Sequence, residues 1–168
     1  MSQADPQPII ELLLGAFADS LRQVERAVAD IPDDRMAFQP PGIVNHPAWT
    51  LSHLATAAGG VLVLMGDPGS PGLMEDFARF GSGSTPSPDR AFYSSKAEML
   101  ERLRSRHARA TELVRSRHGA RFNQAPPDPF GRFGHAIGPI AAYLLASHEP
   151  YHIGQISQWR RLAGLVAC

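Results

Sequence analysis

The sequence predicts an all-α fold: a four-helix bundle with a long crossover between the second and third helices. Three observations lead there. Apolar residues recur at helical spacing over four stretches of about twenty residues each. No stretch has the strict apolar–polar alternation of a half-buried strand, and no internal repeat is present. The connection between the second and third stretches, Gly66 to Tyr93, is too long for the tight turn of a simple up-and-down bundle.

The first helix is predicted from Ile9 to about Asp30. Ile10, Leu13, Leu14, Phe17, Leu21, Val24, Val28 and Ile31 form an apolar stripe, Asp19, Arg22, Gln23, Glu25 and Arg26 fill the other face, and Pro32-Asp33-Asp34 stops it. The second runs from about His46 to Leu64. Pro47 suits a first turn, where its missing N–H costs nothing, with Asn45 or His46 as the cap. Trp49, His53, Ala57, Gly60 and Leu64 line one of its faces. The Gly-, Pro- and Ser-rich stretch Gly66–Tyr93 has little periodicity and reads equally as a flexible crossover or as a flap over a site.

The third helix is predicted to start at Ser94 or Ser95, because Ser95-Lys96-Ala97-Glu98 has the form of a capping box. Leu100, Leu103, His107, Ala110 and Val114 make its inner stripe, and Arg102, Arg106, Arg109 and Arg117 fall mostly outside it. His118-Gly119 marks its end, with glycine at C′. A second Pro/Gly-rich connection covers Ala120 to Gly138. The fourth helix spans about Pro139 to Ala163, with Leu144, Leu145, His148, Tyr151, His152, Gln155, Ile156 and Trp159 on one broad face. Pro150 removes a backbone hydrogen bond to the Ala146 carbonyl and predicts a kink.

At 168 residues the chain suits one domain, residues 1–168, with a single core. The formal net charge is zero, which argues against a nucleic acid or an anionic membrane as partner. The arginines of the third helix are interleaved with Glu101 and Glu112, which weakens a DNA-binding reading further. The longest apolar run, Ala55 to Met65, is too short to span a bilayer, and Met1 to Pro6 lacks the basic and apolar regions of a leader; a cytoplasmic protein is expected. Cys168 is the only cysteine, so neither an intrachain disulfide nor a cysteine-based zinc site can form.

The chemistry-bearing pattern is in the histidines. In His148-Glu149-Pro150-Tyr151-His152 two imidazoles stand at i and i+4, on one helical face and about 6 Å apart along the backbone, a spacing that lets both reach one metal ion. They share that face with Leu144, Leu145 and Ile156, so they point into the bundle. A third ligand must come from another helix. His53, mid-helix on the inner face of the second, is the best candidate, and His107 is the reserve. His46 lies two turns from His53, too far to share the ion, and His118 and His135 fall in or beside loops. Three histidines leave an open coordination position, which is the catalytic pattern of metal sites. Imidazoles suit zinc, nickel, iron or copper without choosing among them. The motif His-Glu-x-x-His of metalloproteases is literally present, but Pro150 inside it and an upstream third histidine argue against that family. Tyr151 and Gln155 share the ligand face and are candidates to orient substrate; Glu149, offset by about 100°, is a weaker candidate base.

Three segments carry a resemblance: Phe38-Gln39-Pro40-Pro41-Gly42, Asn45-His46-Pro47-Ala48-Trp49-Thr50-Leu51-Ser52-His53-Leu54, and His148-Glu149-Pro150-Tyr151-His152-Ile153-Gly154-Gln155-Ile156. Together they resemble the DinB-like (DinB/YfiT) metalloenzymes, in which a Trp-x3-His-Leu element and a His-x3-His-x-Gly-Gln-Ile element supply the ligands. The resemblance implies His53, His148 and His152 as ligands to zinc or nickel, a homodimer, and a small-molecule substrate. It also implies an S-transferase or isomerase that uses a low-molecular-weight thiol such as bacillithiol or mycothiol. The competing expectation is a non-enzymatic metal-binding bundle, structural or responsive to metal and stress.

Overall fold

The computed structural model describes residues 7–67 and 71–166. The readings on Met1 to Pro6 and on Cys168 lie outside the described residues. No strand occurs among the described residues. The helices are α1 (Gln7–Val28), α2 (Pro47–Leu64), α3 (Leu73–Phe80) and α4 (Lys96–Arg121). A last run follows in three pieces: α5 (Ile137–Tyr143), a wide π-helical turn (Leu144–His148) and α6 (Glu149–Leu162). Long helices α1, α2 and α4 and this last run form the predicted four-helix bundle. α2 packs on α4, α1 packs on α6 and the π turn, and α2 also reaches α6.

Burial follows the apolar stripes. Phe17, Val24, Leu51, Leu54, Leu103, Leu113, Ile156 and Trp159 have essentially no exposed surface. α2 is the core helix. By length and composition it could cross a bilayer, but 89% of it is buried inside the protein. It is longer than the apolar run Ala55–Met65 suggested, so its burial rather than its length identifies it as a core helix. Its cap is His46, whose Nδ1 accepts from the Trp49 amide at 3.3 Å. The capping box of α4 forms as predicted, with Ser95 and Glu98 each accepting from the other's backbone.

α4 does not stop at His118-Gly119. It continues to Arg121, and Gly119 does not adopt the left-handed conformation of a C′ glycine. The stop comes from the next segment instead: the Phe122 and Gln124 carbonyls accept from the Gly138 and Ile137 amides at 2.8 and 3.0 Å.

The crossover is built structure. It contains α3, entered through Gly72 in the left-handed conformation (φ +77°). Arg106, expected mostly outside the inner stripe, is buried. It donates to Asp76 of α3 at 2.5 Å and to the Ala55 carbonyl of α2 at 3.0 Å. A buried guanidinium needs such partners, and here they clamp the crossover to α2 and α4. Gly60 lets a second segment approach α2 closely: a Cβ there would stand 3.1 Å from the Phe130 ring.

Candidate metal centre

His53 comes from the middle of α2, His148 from the end of the π turn and His152 from the first turns of α6. All three are buried, and their ligating atoms lie within 4.8 Å of one another. The Nε2 atoms of His53 and His148 are 3.1 Å apart. No other His, Cys, Asp or Glu among the described residues joins the group.

The π turn is what places His148 there. With 3.6 residues per turn, the helical face carrying Ile140 and Tyr143 would next present Ser147. One extra residue in the wide turn presents His148 instead, and the pocket face then continues through Tyr151, His152 and Gln155. Pro150 gives the local reason. Its ring clashes with the carbonyl four residues back, Ala146, which lies inside the widened turn. The expected kink is therefore resolved as a π turn, with Pro150 in the first turn of α6.

The hydrogen bonds fix which nitrogen of two rings is available. His53 Nδ1–H donates to the Phe80 carbonyl at 2.7 Å, and His152 Nδ1–H donates to Gln155 Oε1 at 2.9 Å. Both therefore turn an Nε2 lone pair to the centre. Gln155 is held in turn by Asn45 Nδ2 at 3.1 Å. His148 Nδ1 is buried with no partner. If His148 carries its proton on Nδ1, three lone pairs converge with no donor. If it carries it on Nε2, that N–H donates to His53 and the buried Nδ1 is an acceptor without a donor. The first arrangement, three lone pairs facing one another, is the one that a cation at the centre satisfies.

Burial, reinforced by the neighbouring imidazoles, pushes His148 down to about 3 and His152 down to about 4. Burial also lowers His53, against the opposing Phe80 hydrogen bond. Neutral imidazole is the ligating form, so near pH 7 the rings need lose no proton to bind a metal. Trp49 stacks on His53 at 4.7 Å and 8°, and its Nε1–H donates to Ser84 Oγ in the crossover at 3.0 Å.

The centre opens on a cavity of about 690 Å³. α2 supplies Trp49, Thr56 and Ala57 to its walls, the crossover Phe77 and Gly81 to Gly83, and the second connection Phe130, Arg132 and Phe133. Tyr143, Tyr151 and Gln155 complete the wall from the last run. The crossover thus forms one wall of the pocket and supplies the Phe80 carbonyl.

The remaining candidates separate clearly. Tyr151 lines the pocket and is 62% exposed. Gln155 lines it too, with its carbonyl oxygen engaged by His152 and Asn45. Glu149 does not line it. Its carboxylate is buried on another side of the helix, where it accepts from Ser20 Oγ and lies 2.5 Å from His107 Nε2. His107, the reserve ligand, is committed there and stacks on Phe17 at 3.6 Å. His46 serves as a cap, with Nε2 at 2.9 Å from the Ser87 carbonyl. His118 lies within α4, its Nδ1 3.0 Å from the Val114 carbonyl, and His135 is exposed. Sequence reasoning missed the Phe80 carbonyl, Asn45 as a support for Gln155, and Arg132.

A family model described as the DinB superfamily matches residues 16–156, a span that includes all three histidines. No curated protein and no solved structure gives a significant match.

Proposed function

The chain belongs to the DinB superfamily, and from that premise we propose that it is a metal-dependent enzyme acting on a small molecule. His53, His148 and His152 hold one divalent ion, zinc or nickel, and the reaction is thiol-dependent S-transfer or isomerisation. One observation carries the reading. Three buried histidines converge beside a cavity of about 690 Å³, with no fourth protein ligand among the described residues. Three ligands with an open position is the catalytic arrangement, whereas structural zinc sites are closed by four. When bound, such an ion acts as a Lewis acid and lowers the pKa of a thiol or water in the open position.

The chain's own residues do the rest. The Phe80 carbonyl and Gln155 hold two ligand rings in one tautomer. Trp49, Phe77 and Phe130 give the pocket apolar walls beside the histidines. Tyr151 presents its side chain to the same pocket, where its hydroxyl orients the substrate. The thiol rests on the family resemblance and the open position. The alternative, a non-enzymatic metal-binding bundle, draws on the fact that the ligands join α2 to the last run and would stabilise the fold when filled.

The test is elemental analysis of untagged protein beside His53→Ala and His152→Ala. Roughly one equivalent of zinc or nickel, lost in both variants, is expected. Metal-loaded protein is then assayed with bacillithiol, mycothiol and glutathione as thiol donors. No metal after reconstitution sinks the metal reading. Metal without thiol binding leaves the alternative standing.

A further inference from the structure

We propose that the pocket takes a planar organic anion, an aromatic or conjugated carboxylate, and that Arg132 binds its carboxylate. This rests on reading the pocket as the substrate site.

Among the described residues, Arg132 is the only Asp, Glu, Lys or Arg that lines the cavity. Among the described residues it makes no ion pair and no hydrogen bond. The contrast with a second cavity, of about 380 Å³, is instructive. That cavity is lined by Arg102, Arg106 and Arg109, but each is tied to a carboxylate, of Asp76, Asp67 or Glu112. Its positive charge is answered within the protein, and that of Arg132 is not.

The Arg132 guanidinium lies over the Phe133 ring, 4.7 Å from its centroid. That contact is with a ring and uses none of the N–H donors, whose fork matches a carboxylate. Among the described residues no carboxylate lines the pocket to compete for it or to repel an anion. The walls favour a flat ligand. Trp49, Phe77, Phe130, Phe133, Tyr143 and Tyr151 all contribute rings, and the last three are at least half exposed, as a monomer core would not leave them. The volume is that of an ordinary small-molecule site.

The experiment titrates zinc-loaded full-length protein with trans-cinnamate and with trans-cinnamamide, which share a planar frame and differ in charge. Cinnamate is expected to bind at least tenfold more tightly. In Arg132→Gln that preference disappears, cinnamamide affinity is unchanged and zinc content stays the same; Arg132→Lys keeps part of the preference. Equal binding of the two probes overturns the proposal. So does a preference that survives in Arg132→Gln, since the carboxylate then sits elsewhere, and so does binding of neither probe. Zinc content is read separately. A protein that takes up no zinc but keeps an Arg132-dependent preference sinks the metal reading and leaves this one.

Discussion

Two buried polar clusters built around histidine meet at adjacent residues of the last helical run, and they are opposites. His148 turns to the pocket, where its Nε2 faces that of His53 and its Nδ1 has no partner. Glu149 turns to the inside of the bundle, where it accepts from Ser20 and meets His107, whose ring is stacked on Phe17. Both clusters are more than nine-tenths buried. Burial therefore does not distinguish a site from a core contact. What distinguishes them is hydrogen-bonding capacity: the Glu149 cluster is internally satisfied, and the His148 cluster has a buried ring nitrogen, His148 Nδ1, that no partner reaches.

The sharpest way to break this comparison is to remove one histidine from each side. His148→Ala should abolish stoichiometric metal binding. Its loss of affinity should exceed the roughly 10- to 100-fold typical of changing a supporting residue. His107→Gln should keep full metal content. Elemental analysis after dialysis against a weak chelator measures both, and metal loss in the His107 variant would mean that the two clusters act as one.

The next effect is on stability. Glu149→Ala leaves His107 Nε2 buried without its partner, while the Ser20 hydroxyl keeps the Phe17 carbonyl at 2.8 Å. At about 1–3 kcal/mol for an unsatisfied buried group, a loss of about that size is expected. Glu149→Gln, which keeps an acceptor, should lose less. Urea denaturation of the metal-free proteins checks this. A stable Glu149→Ala protein that no longer binds metal would reverse the roles assigned to the two clusters.

Much of this was legible in the sequence, and the failures have physical causes. The four long helices follow from apolar periodicity, and the convergence of His53, His148 and His152 follows from their places on inner faces. Glu149 was legible only as lying off the ligand face; nothing in the helix period told that Ser20 and His107 would meet it. α3 was missed although Leu73, Phe77 and Phe80 carry helical spacing, because eight residues are too few for periodicity to stand out. What holds α3 in place is the long-range pair of Arg106 with Asp76, which no local pattern reports. Pro150 signals only a kink in the sequence because the missing hydrogen bond is local, whereas the π turn that accommodates it is packed against α1. The Phe80 carbonyl has no sequence signature, since every residue carries one.

A finer test concerns the supports of the ligand cluster. Gln155→Ala frees His152 Nδ1 from its acceptor and lets the ring choose its tautomer and turn. Metal affinity should fall about 10- to 100-fold, with stoichiometry restored at high metal concentration. Asn45→Ala acts one bond further out and should cost less. Competition with a chromogenic chelator resolves such differences. Unchanged affinity in both variants would mean that the rings are held by packing alone, Trp49 against His53 being the clearest such contact.

The gentlest test changes only pH. His148 and His152, at about 3 and about 4 in the folded protein, sit below the ordinary histidine value of 6.5. Between these limits the unfolded chain takes up protons that the folded chain refuses. Stability of the metal-free protein is then greatest above about pH 6.5 and falls as pH drops toward the folded values. The slope contributed by each histidine is at most about 1.4 kcal/mol per pH unit. Replacing both with glutamine should flatten the profile in that window. If the double variant keeps the native slope, the proton-refusing groups lie elsewhere, and the contrast between an unsatisfied cluster and a satisfied one loses its electrostatic half. Adding saturating zinc to the native protein should raise the stability at pH 7 and steepen its fall toward acid, because protons then compete with the ion for the same lone pairs.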